Sequence, residues 1–201
     1  HNQTKQNQTN QNQTNQNQTN QKQGNQNQED PEVIEGFDAT DVEGFASLEQ
    51  EVVIVRAVNA DRPGDELSIE IYGALTGGAT GPGEYTLDEP NYDDCSNCVL
   101  IRRTTDGHLD TVFVARQGTL EITEFGYQGD EFSAKLIDVE LIEVDFESGS
   151  SVTTPKEDGD LYRIAELELT VAELDGPPTF EDFDCDGDGV RQGFTVDHTS
   201  G

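Results

Sequence analysis

Two segments, residues 132–146 and 161–174, alternate apolar and polar side chains for longer than any helical pattern elsewhere in the chain, and this commits the polypeptide to β-structure. In the second, Leu167, Leu169 and Val171 alternate with Glu166, Glu168 and Thr170. A period of two puts one set on each face of a strand. The run Ala165–Leu169 also contains good helix formers, but the strict alternation favours strand. In the first segment Phe132, Ala134 and Leu136 share a face. The phase changes near Ile137 and resumes as Val139 and Leu141, then Val144 and Phe146. One extra residue within a long strand does this, so a β-bulge or bend is expected there.

Other stretches carry the same signal. Residues 51–58 (EVVIVRAV) form a β-branched run suited to a central strand, and residues 66–72 (ELSIEIY) alternate with Leu67, Ile69 and Ile71 on one face. A short strand is expected at 83–87, after a turn-rich loop over 75–83. Residues 98–103 and 111–115 flank Thr105-Asp106-Gly107-His108, a good hairpin turn. Residues 118–125 follow a second expected tight turn at Gln117-Gly118. Residues 33–48, short apolar pieces among acids and glycines, read as a lead-in. About eight short strands separated by turn signals predict an all-β domain, an antiparallel β-sandwich or jelly roll.

Upstream of Pro31 the chemistry is different. Residues 2–21 repeat in fives (NQTKQ, NQTNQ, NQTNQ, NQTNQ) and then decay into KQGNQNQ, so two units are expected: a polar repeat tail over 1–30 and an acidic domain over 31–201. The tail has no apolar surface to offset the entropy of ordering, which is the behaviour of a flexible polar spacer. Asn2, Asn7, Asn12 and Asn17 each begin an Asn-Gln-Thr sequon, which makes a glycosylated stalk a second reading. Ladders of Asn and Gln amides between stacked strands, and hence self-association into a homopolymer, are a third. Successive Thr residues fall on opposite faces of such a strand, and no apolar residue is present to anchor it in a neighbour's groove.

Charge narrows the partners. The formal net charge is −31, and residues 1–28 contain Lys5 and Lys22 and no acid, which leaves the remainder at −33. A body so negative repels nucleic acid and anionic lipid, leaving cations, basic surfaces and polysaccharide as partners. Lysine in the body is confined to Lys135 and Lys156, a pattern typical of proteins from salty habitats. No apolar run reaches the length needed to insert in a membrane as a helix. The chain opens on His1 and lacks Met, the expectation for a mature secreted form after signal-peptide removal. Three cysteines, Cys95, Cys98 and Cys185, suit an oxidising compartment with one disulfide and one thiol left over.

Two motifs carry chemistry. Asp184, Asp186 and Asp188 occupy the alternate positions of a D-x-D-x-D-G loop with Gly189 at the turn, a spacing that lets oxygen ligands converge on a structural Ca²⁺. The twelfth position is Thr195 rather than an acid, and Asp182 or Asp197 could substitute. Cys95-Ser-Asn-Cys98 reads as a small disulfide loop, with a bridge from either to Cys185 as the alternative. No catalytic residues are expected: no G-x-S-x-G, H-E-x-x-H or phosphate-binding glycine loop occurs in the sequence.

The pattern YGALTGGATGPGEYTL, NYDDCSNCVLIRR, GTLEITEFG and FSAKLIDVELIEV, spanning about residues 50–175, resembles secreted β-sandwich lipoproteins of myxobacteria-like Gram-negative bacteria. The resemblance implies a secreted location and a sandwich fold, and no activity. The lipid-bearing first Cys of that group has no counterpart at His1. Together these features predict an extracellular, non-enzymatic structural subunit of a fibre or surface layer. The rival is a monomeric surface-attached binding module on a glycosylated stalk.

Overall fold

A computed structural model describes residues 31–73, 77–147 and 149–176 of the chain. Among the described residues ten strands follow one another: β1 (Val33–Glu35), β2 (Ala39–Ser47), β3 (Val52–Asn59), β4 (Asp65–Tyr72), β5 (Gly83–Thr86), β6 (Asn97–Thr105), β7 (His108–Glu124), β8 (Phe132–Phe146), β9 (Thr153–Pro155) and β10 (Leu161–Val171). No helix occurs among the described residues, so the all-β expectation is met, including strand rather than helix over residues 161–171.

All ten strands belong to one sheet, in the order β1-β10-β8-β7-β6-β4-β3-β2, with β5 added on β7 and β9 on β8. The β1–β10 pair is parallel and the other strand pairs are antiparallel. This mixed sheet curls into a half-barrel. Its two ends approach each other where Ala46 N–H donates to Asp175 O (2.9 Å) and Asp175 N–H donates to Gly44 O (2.9 Å). The sequence pattern suggested two packed sheets; the pairings give one sheet folded around its own concave face.

Alternation explains which side chains line that face. Val53, Val55 and Ala57 of β3 lie there, as do Leu67, Ile69 and Ile71 of β4 and Val99 and Ile101 of β6, all in one buried core. In the three longest strands the inward set changes parity. It runs Phe113, Ala115, then Leu120, Ile122 in β7; Phe132, Ala134, Leu136, then Val139, Leu141 in β8; and Tyr162, Ile164, then Leu167, Leu169, Val171 in β10. The switches lie at the same level of the sheet, where the β7–β8 register shifts. An unpaired residue in each strand keeps apolar groups inside while the sheet turns a corner. Asp138 takes φ 50° at this crease. The phase change near Ile137 is therefore one strand's share of a bend that crosses three.

Opposite Asp138, Gly118 takes φ 136°, and a Cβ there would sit 2.7 Å from Val139 Cγ2. The expected tight turn at Gln117-Gly118 is a bulge instead: β7 runs through it, joining what the sequence read as two strands. Glycine is required because the crease brings β8 too close for a side chain. The turn at Asp106-Gly107 is as expected, with both residues at positive φ (54° and 80°). Residues 33–48, expected as a lead-in, hold β1 and β2. β2 is short of apolar residues and irregular between Thr40 and Glu43, but the ladder offered by β3 organises it.

Candidate functional site

On β4 the side chains that alternate with Leu67, Ile69 and Ile71 point to the convex face, where Ser68, Glu70 and Tyr72 would normally meet water. Here the segment from Leu87 to Ser96 folds over them. Glu70 is 3% exposed. Its Oε1 accepts from Ser68 Oγ (3.0 Å) and Arg102 Nη2 (3.0 Å), and its Oε2 accepts from Tyr72 OH (2.7 Å) and Tyr92 OH (2.6 Å). Arg102 comes from β6 and Tyr92 from the covering segment, so one carboxylate joins three pieces of chain. Burial pushes the Glu70 carboxyl up, but the Arg102 charge and the bonds from Tyr92, Tyr72 and Arg102 outweigh it, and the net direction is below the ordinary carboxylate value. Burial, reinforced by the charge of Glu70, pushes the Tyr72 hydroxyl well up and the Tyr92 hydroxyl up, so they remain protonated donors.

The covering segment is held at three further points. Cys95 and Cys98 lie at disulfide distance, with their Cα atoms 5.4 Å apart, which is the pairing expected from the C-x-x-C spacing. Tyr92 N–H donates to Thr153 Oγ1 (2.9 Å), and Thr153 N–H donates to Asn91 Oδ1 (3.0 Å). The Tyr92 ring packs edge-on against Phe146 at 6.0 Å. Beneath it Cys95, Cys98 and Leu100 form a small apolar cluster with Tyr72 and Tyr92. Beside the disulfide lies a cleft of about 120 Å³ whose lining includes Asp88, Glu89 and Asp94.

A second polar cluster closes one end of the concave face. Asp65, 2% exposed, receives Arg103 through both oxygens, Nε to Oδ1 at 2.8 Å and Nη2 to Oδ2 at 3.0 Å. The Arg103 guanidinium stands 5.3 Å from the Phe113 ring centroid, and Asn59 Nδ2 donates to Tyr162 OH at 2.7 Å. Glu143 pairs with Lys156 and accepts from Asp160 N–H at 2.9 Å. Burial raises the Glu143 carboxyl, and the bonds from Lys156 and Asp160 bring it below the ordinary value. On the convex face Arg116, Glu140, Arg163 and Glu35 alternate in sign across β7, β8, β10 and β1.

Of the residues singled out in the sequence, Cys95 and Cys98 are brought together. Asp182, Asp184, Asp186, Asp188, Asp197 and Cys185 lie outside the described residues, as do the sequon residues Asn2, Asn7, Asn12 and Asn17. Among the described residues no three His, Cys, Asp or Glu side chains are grouped to hold a metal ion, and no helix is long and apolar enough to cross a membrane. Sequence reasoning passed over Glu70, Tyr72, Tyr92 and the Asp65–Arg103 pair. A signal was present in Cys98-Val-Leu-Ile101, apolar on both faces, which marks a strand covered on both sides.

The chain matches no protein-family model, no curated protein and no solved structure.

Proposed function

We propose that this protein is an extracellular structural subunit of a fibre or surface layer, in which an acidic β-body carries an Asn/Gln arm that mediates or decorates assembly. The observation that carries this reading is the use made of the buried carboxylates. Asp65, Glu70 and Glu143 engage all their oxygens with partners from other parts of the chain. Carboxylates so engaged tie strands and loops together, whereas acid–base catalysis needs an oxygen facing a substrate. A disulfide suits the oxidising exterior. The arm's neutral amides can make contacts that salt does not weaken, while the bodies, at −33 by sequence, repel one another.

That balance sets the test. Fibres examined by light scattering and negative-stain imaging across a salt series should form at about 1 M, where screening acts beyond roughly 3 Å, and loosen at about 0.01 M, where charges interact over about 30 Å. Removing residues 1–28 should leave a folded body that no longer forms the same polymer. A full chain that stays monomeric at every salt concentration refutes the reading. The polar cleft whose lining includes Asp88, Glu89 and Asp94 favours one alternative, a surface-attached module binding polysaccharide on a glycosylated stalk, and a persistent monomer with such affinity would support it.

A further inference from the structure

β6 and β5 pair with the same edge of β7 and leave a gap between them. β6 follows that edge as far as the Leu100–Val114 pair, and β5 takes it up again at Thr86–Thr119. Leu87 N–H donates to Gly118 O (2.9 Å) and closes one end of the gap. The cleft of about 120 Å³ lies here: its lining includes Val114 and Ala115 of β7, the stretch 86–89 that leaves β5 and the stretch 94–99 that enters β6. Strand pairing and the Cys95–Cys98 bridge hold these pieces, so the cleft is preformed. Its surface is mostly polar. Asp88, Glu89 and Asp94 bring three carboxylates, and Thr86, Ser96 and Asn97 bring two hydroxyls and an amide. Among the described residues none of these three acids forms an ion pair, and Arg116, next to Ala115, is committed to Glu140. Asp94 is oriented, since Asn91 Nδ2 donates to its Oδ2 (2.6 Å) and Asn91 is itself held by Thr153 N–H. Asn97 Oδ1 accepts from Ala79 N–H (2.8 Å), so its Nδ2 is the group the side chain offers a ligand.

We propose that this cleft binds an amino sugar, a polysaccharide unit that carries a protonated amine between hydroxyls. Ionised carboxylates only accept hydrogen bonds, so the lining calls for a ligand rich in donors. A protonated amine supplies three donors and a positive charge, and the hydroxyls beside it can exchange bonds with Thr86, Ser96 and Asn97. A uronic or sulfated sugar is repelled, and a neutral one leaves the charge of the carboxylates unanswered. A lysine side chain has the right charge but brings an apolar stem to a mostly polar surface. The volume matches about four water molecules at roughly 30 Å³ each, so the cleft takes the amine edge of one ring and leaves the rest of the polymer outside. The inference rests on the polysaccharide-binding reading of this cleft and is independent of assembly: it applies to a monomer and to a subunit of a layer alike.

Titration calorimetry on the full chain tests this at about pH 6, where carboxylates are ionised and the amine is protonated, and about 0.1 M salt, where screening acts beyond roughly 10 Å. A glucosamine tetramer should bind at least tenfold tighter than its N-acetylated counterpart or a glucose tetramer. Asp94→Asn should weaken its binding about tenfold. Thr86→Val, which removes a hydroxyl and keeps the shape, should weaken it about threefold and serves as the second variant should Asp94→Asn fail to fold. Glu168→Gln removes one charge from a side chain 76% exposed on β10 and should leave binding unchanged. Equal losses in Asp94→Asn and Glu168→Gln would trace the binding to diffuse attraction by the acidic body and overturn the site. A lysine tetramer that binds as tightly, with the same dependence on Asp94, assigns the cleft to a basic protein segment and overturns the sugar. Acetylated or glucose tetramers that bind as tightly as the amine overturn the amino-sugar inference and leave the polysaccharide reading standing. Absence of binding by every sugar overturns both.

Discussion

Glu70→Gln isolates the charge at the centre of the convex cluster while keeping its shape. The amide oxygen can face Ser68 and Arg102, and the amide nitrogen can face Tyr72 and Tyr92, whose hydroxyls would have to turn from donating to accepting. The substitution therefore removes ionic character from bonds that Glu70 makes to Arg102 (3.0 Å) and to two tyrosines (2.7 and 2.6 Å). Hydrogen bonds to charged groups contribute about 1.5–3 kcal/mol against about 1 for neutral ones. The Arg102 side chain is 31% exposed, so water shares its solvation and the lower end applies. A loss of about 2 kcal/mol is expected, or roughly 4–8 °C in Tm for a domain of this size. The pH dependence gives a second check. The carboxyl of Glu70 is held below its ordinary value, so its contribution is fully present above the unfolded value of about 4.3 and disappears as pH falls through the lower folded value. Urea unfolding of wild type and variant, followed by circular dichroism, should show a gap at pH 7 that closes towards pH 2. Equal stability at pH 7, or a gap that persists in acid, would refute the assignment of that energy to an ionised Glu70.

Two further perturbations probe the covering segment and the C-terminal motif. The Cys95–Cys98 bridge closes a four-residue loop, for which chain entropy gives about 2 kcal/mol; replacing both with Ser should lower stability by that amount and speed proteolysis between Asn91 and Cys98, and unchanged cleavage would show that Tyr92 and Asn91 hold the segment alone. If the Asp184-Asp186-Asp188-Gly189 loop binds Ca²⁺, a free concentration about one hundred times Kd adds about 2.7 kcal/mol, so chelator should lower Tm in wild type and leave Asp186→Ala unaffected; no chelator effect at low salt removes calcium from the account.

Strand positions were legible because a strand's faces are written in its own residues. The run Leu67, Ile69, Ile71 and the phase change after Leu136 need no partner to be read. The disulfide was legible as well, since two cysteines three apart can meet without help from distant chain. What a strand pairs with is not written locally. Gln117-Gly118 resembles a turn until β8 runs alongside and makes it a bulge, and residues 39–47 resemble loop until β3 supplies their ladder. Whether the strands form two sheets or one depends on pairings between residues as far apart as Val33 and Leu161. The burial of Glu70 was likewise decided at long range. On β4 it alternates like any solvent-facing acid, and only the fold of residues 87–96 across the sheet, bringing Tyr92 to it, removes the water and makes its ionic bonds matter. Alternation tells a strand which of its faces is apolar; only the rest of the chain decides what covers the other one.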